Sequence, residues 1–79
     1  MSPTVFRYNQ YRFLFFSREE PRVHIHVTCP DGEAKFWVDP EVALAANWGL
    51  SQSQINDLQQ VIEERKDEIE NAWARHFRS

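Results

Sequence analysis

Residues 20–40 read EPRVHIHVTCPDGEAKFWVDP, and the alternation inside that stretch decides the fold. In an extended chain successive side chains point to opposite faces, so Val23, Ile25 and Val27 share one side and His24, His26 and Thr28 the other. Pro30-Asp31-Gly32 then supplies a turn: proline presets its dihedral, aspartate bonds locally and glycine takes the positive φ at the exit. The alternation resumes with Ala34, Phe36 and Val38 opposing Glu33, Lys35 and Trp37. The stretch predicts an antiparallel hairpin of strands 23–28 and 33–38, with one apolar face and one ionisable face.

Towards the amino terminus, Thr4-Val5-Phe6 predicts a short first strand and Asn9-Gln10 a turn. Tyr11 to Phe16 is aromatic-rich and predicts a further strand, with Tyr11, Phe13 and Phe15 opposing Arg12, Leu14 and Phe16. Ser17 to Pro21 reads as a polar connection. Towards the carboxyl terminus, Asp39 as N-cap and Pro40 at the first helical position predict a helix over 40–48, closed by Gly49. Ser51 and Gln54 form a capping box for a second helix over 51–77, whose apolar stripe is Ile55, Leu58, Val61, Ile62, Ile69, Ala72, Trp73 and Phe77. From Ser51 to Arg75 an unbroken helix would run about 37 Å, longer than short strands cover, so part of it is expected to project or to meet a partner.

These elements predict one α+β domain spanning 1–79, a three- or four-stranded antiparallel sheet packed on two C-terminal helices. Its core would join Phe13, Phe15, Val23, Ile25, Val27, Ala34, Phe36 and Val38 to the helical stripe. Arg12, Leu14, Phe16, His24, His26, Lys35 and Trp37 would then lie on the uncovered face.

A chain of 79 residues is small. Such a domain buries roughly 60–65% of the surface its unfolded chain exposes, and its stability is expected to be about 5 kcal/mol. Six Phe, three Trp and two Tyr partly offset the size by supplying large buried area per residue. Cys29 is the only cysteine, which excludes an intrachain disulfide, a cysteine zinc cluster and a redox pair. No signal-peptide pattern opens the chain, and the longest apolar run, Phe13 to Phe16, is too short to span a bilayer. A cytoplasmic protein with no membrane partner is the expectation. Residues 1–38 carry five basic and four acidic side chains, a balance of +1; residues 39–79 carry four and eight, a balance of −4. This argues against general DNA binding by phosphate neutralisation while leaving room for a local basic patch.

The segment GEAKFWVDP, preceded by EPRVHIHV and followed by NWGLS, resembles the bacterial domain-of-unknown-function family 4160. The resemblance runs from Pro3-Thr4-Val5-Phe6-Arg7 through Tyr11-Arg12-Phe13 to Ala72-Trp73-x-x-His76-Phe77, with Val23 a departure from many relatives just before the HxH motif. It implies a small cytosolic protein encoded beside a partner of family 2442 type, in pairs proposed to be toxin–antitoxin modules with the 4160-type protein as toxin. The family motifs fall here on His24, His26, Glu33, Lys35 and Trp37.

Three chemistries are open to that ionisable face. His24 and His26, about 6–7 Å apart along one strand face, would need His76 and Glu33 to complete a metal site. Surface hydrogen bonding is the plainer role, and neither metal nor cofactor is expected. As a metal-independent ribonuclease, His24 or His26 would move the proton, Lys35 or Arg12 would steady the phosphorane with Glu33 in support, and Trp37 and Phe16 would stack an unpaired base. As an interaction surface, Leu14, Phe16 and Trp37 would be buried in a homodimer or by the cognate protein. The catalytic reading requires the histidines in an accessible concavity; the interaction reading requires an aromatic surface for another chain.

The remaining features read as structural. Trp48 and Trp73 are expected to pack at helical positions, and Glu63 to Glu68 to form a solvated helix face. Cys29 lacks a basic neighbour that would make it reactive. Serine-nucleophile elbows, phosphate-binding glycine loops and zinc-deaminase signatures are absent from the sequence.

Overall fold

The computed structural model describes residues 4–16 and 21–77. Five strands run in chain order across one antiparallel sheet: β1 (Thr4–Tyr8), β2 (Tyr11–Leu14), β3 (His24–Cys29), β4 (Gly32–Trp37) and β5 (Ala43–Trp48). Two helices follow, α1 (Gln52–Glu64) and α2 (Lys66–Phe77). The α+β arrangement with two C-terminal helices is the one the alternation predicts, with an additional strand. Of the expected polar connection, residues 17–20 lie outside the described residues, as does Pro3 of the opening motif.

The central hairpin has the register that its pattern demands. Ile25 faces Phe36 and Val27 faces Ala34 on the apolar side, while His24 faces Trp37 and His26 faces Lys35 on the other. Cys29 pairs with Gly32, so Pro30 and Asp31 alone make the loop and Gly32 opens β4 rather than ending the turn. Glycine is needed there for a different reason: a Cβ would collide with the Trp48 carbonyl oxygen of β5. Asn9 takes φ 53° in the turn joining β1 to β2, a left-handed conformation that asparagine tolerates.

One core forms where the helices meet the sheet. Phe13, Phe15, Ile25, Val27, Ala34, Phe36 and Val38 are buried against Leu50, Ile55, Leu58, Val61, Ile62 and Ile69, with Tyr11 at one end and Val23 half-buried. Phe6 stacks on Phe13 with centroids 4.5 Å apart, and the Arg65 guanidinium lies over the Phe6 ring at 4.4 Å. Ser51 caps α1 with the reciprocal box expected of Ser51 and Gln54. The Gln54 amide nitrogen also donates to Asp31 Oδ2 at 3.1 Å and to the Tyr11 hydroxyl at 3.3 Å. One side chain thus both starts the helix and fixes it to the hairpin loop.

Several expectations are corrected. The helix predicted over 40–48 is the strand β5. Its Ala-rich sequence favours a helix locally, but a helix that short is not stable alone, and pairing satisfies the open edge of β4. The helix over 51–77 is interrupted at Arg65, whose φ of −111° and ψ of 23° leave helical geometry. The chain therefore does not project: α2 lays Trp73, His76 and Phe77 against Phe15, with centroids 5.3, 5.7 and 6.2 Å away. Trp73 packs as expected, but Trp48 is 55% exposed because it belongs to β5, where it pairs with Glu33.

Candidate functional site: a closed histidine–aromatic cluster on the second sheet face

Cross-strand pairing sets the ionisable side chains in three rows on the face opposite the helix-packed core. One row runs Arg7, Arg12, Thr28, Glu33, Trp48; the next runs Leu14, His26, Lys35, Ala46; the third runs His24, Trp37, Ala43. The sequence-predicted residues His24, His26, Lys35, Trp37 and Leu14 therefore do come together. Arg12 and Glu33 occupy the neighbouring row, separated by Thr28. Arg12 Nε donates to Thr4 Oγ1 of β1 at 2.6 Å, an attachment the sequence did not reveal.

That face is not uncovered where the histidines lie. His24 has no exposed surface, His26 is 8% exposed and Leu14 is 3% exposed. The cause is aromatic packing. The His24 ring meets those of Trp73, His26 and Trp37 at 5.1, 5.3 and 5.7 Å between centroids, and Phe16 lies 3.9 Å from His26. Trp73 reaches both Phe15, just past the end of β2, and His24, the first residue of β3, and so closes that end of the sheet. His24 Nδ1 is 2.7 Å from the Arg22 carbonyl oxygen. A carbonyl can only accept, so Nδ1 carries the hydrogen and the ring orientation is fixed.

Around the closed cluster the surface is cationic and aromatic. Trp37 is half-buried, with the Lys35 ammonium and the Arg22 guanidinium each 4.5 Å from its ring centroid. Lys35 and Arg12 are half-buried, Arg7 and Glu33 exposed. Arg22, Trp73 and Trp48 belong to this surface or its support and were not among the sequence candidates. Reading residues 43–48 as a strand would have placed Trp48 here.

Among the described residues no three His, Cys, Asp or Glu side chains are grouped to hold a metal ion. His76, weighed as a partner for His24 and His26, lines a shallow groove of about 170 Å³ between β1 and α2 with Val5, Phe15, Glu68 and Arg75. Among the same residues no helix is long and apolar enough to cross a membrane.

Fold and site together define a small α+β domain: a five-stranded meander backed by two helices, with a sealed imidazole–indole cluster on its second face. The chain belongs to the family described as Domain of unknown function (DUF4160), whose profile matches residues 11–74. No curated protein and no solved structure matches it.

Proposed function

We propose that this chain is a partner-binding module and that its binding surface is the part of the second sheet face carrying Trp37, Lys35, Arg12 and Arg7. The burial of both histidines supports this most directly: His24 at 0% and His26 at 8% present their rings to Phe16, Trp37 and Trp73 rather than to a substrate. General acid–base work requires the ring within hydrogen-bond reach of the reacting group. The histidines on this reading are buttresses that hold Trp37 and its flanking cations in a fixed display, a rigid aromatic–cationic patch of the composition seen in interfaces.

The partner on this account is a small protein with an acidic docking segment, and the resemblance nominates one of family 2442 type. The test is calorimetric titration of this chain with a 2442-type protein. Lys35→Glu combined with Arg12→Glu should weaken binding by at least about ten-fold. An unchanged affinity would remove the surface from the account.

A second reading, the toxin component of a toxin–antitoxin pair acting on RNA through His24, His26 and Lys35, is favoured by one observation. Lys35 and Arg22 lie against the Trp37 ring, and positive charge beside an aromatic side chain is a combination that single-stranded nucleic-acid sites also use. It requires the histidine cluster to open. Growth arrest on expression of the wild type without its neighbour, abolished by Lys35→Ala in a folded protein, would establish it; normal growth with well-expressed wild type would sink it.

A further inference from the structure

β5 is an edge strand, and its sequence ALAANW lacks the lysine or proline that natural edges use against pairing. It does carry a bulge: Lys35 pairs with Ala46 but Phe36 pairs with Leu44, leaving Ala45 as the extra residue. The bulge changes the symmetry of the strand. Ala43 and Trp48 share the second face, with Trp37 and Glu33 as their partners, while Leu44 and Asn47 share the core face with Phe36 and Ala34. Read from either end, the outer four side chains therefore fall on the same faces in the same order. A regular six-residue strand alternates and cannot do this.

We infer that β5 pairs antiparallel with β5 of a second copy of this chain, Ala43 opposite the partner's Trp48 and Leu44 opposite the partner's Asn47, making a continuous ten-stranded sheet. This goes beyond the partner-binding surface, since it concerns the edge of the sheet and not the face. A two-fold axis normal to the sheet requires same-face residues to meet, and the bulged strand satisfies that at its four outer positions, with the two alanines of the bulge at the axis.

Size and charge agree with the second copy as occupant. Trp48, 55% exposed in one chain, comes to lie over the small Ala43 of the other, beside Trp37, and the exchange occurs twice. Leu44, 42% exposed, gains cover on the helix side. No like charges face each other along the paired strands.

Light scattering on the purified chain tests this. The expected mass is twice 9.4 kDa, falling to 9.4 kDa for Ala45→Lys, which sets two cations against the paired edge. Trp48→Ala, a change at an exposed position, should raise the dimer dissociation constant by about ten-fold or more if Ala45→Lys does not fold. Arg12→Glu, on the face but away from β5, should leave the dimer intact. A monomeric wild type at micromolar concentration, a dimer that survives Ala45→Lys, or one dissolved by Arg12→Glu and not by the β5 variants would each overturn the inference. None of these outcomes depends on the titration with the 2442-type protein, so the two proposals fail separately.

Discussion

His24 of β3 and Trp73 of α2 meet ring to ring, with centroids 5.1 Å apart and planes inclined by 62°. The contact joins a sheet residue to the last helix, and it turns a histidine that reads as catalytic into part of the packing. His24→Ala is therefore expected to lower stability by about 2–4 kcal/mol, the range for deleting a buried ring that also holds a hydrogen bond. Urea unfolding measures this directly. A double-mutant cycle with Trp73→Ala should return a coupling of about 0.5–1.5 kcal/mol. A His24 variant as stable as the wild type would mean that the cluster opens readily and would revive the catalytic reading. The same burial makes a His24→Ala/His26→Ala variant an unsafe probe of toxicity, because lost folding would imitate lost function.

Gly32→Ala should separate β4 from β5. The added methyl meets the Trp48 carbonyl oxygen, which belongs to backbone and cannot swing aside. A cost of about 1–3 kcal/mol is expected, with amide hydrogen exchange rising over residues 43–48 and the hairpin of β3 and β4 still protected. Uniform protection across β5 would show that the close approach is not needed.

Gln54 should matter more than its half-buried position in the first turn of α1 implies. It closes the capping box at Ser51 and reaches Asp31 and Tyr11, so Gln54→Ala removes one cap and the tie to the hairpin loop. Ser51→Ala removes one capping acceptor and should cost about 1 kcal/mol. In thermal unfolding the Gln54 variant should lose more than Ser51→Ala. Gln52→Ala, which breaks only the bond to Asn56, should be close to neutral. Equal effects at Ser51 and Gln54 would reduce the tie to a surface contact without energetic weight.

Much of the fold was legible because the decisive signals are local. The alternation of residues 23–28 and 33–38, the turn at Asn9-Gln10 and the capping box at Ser51 each depend on neighbours in sequence, and each is found in the structure. β5 was not legible, because Ala and Leu favour helix locally and only the distant edge of β4 overrules them. The interruption at Arg65 carries no glycine or proline. Its one trace in the sequence is Asp67 and Glu68 in the first turn of α2, the acidic start of a new helix. For the site, the grouping of His24, His26, Lys35 and Trp37 followed from strand period. The burial of the histidines did not, because Trp73, which covers His24, comes from the far end of the chain.

The central claim is that the cationic aromatic face binds a partner protein while its histidines only support it. Calorimetric titration with a 2442-type protein, the proposed partner, comparing the wild type with Lys35→Glu/Arg12→Glu, tests it most directly. The account predicts saturable binding by the wild type and a loss of at least about ten-fold in the charge-reversed variant, with unfolding curves that superimpose. Equal affinity for both proteins, or no binding by a folded wild type, would contradict it.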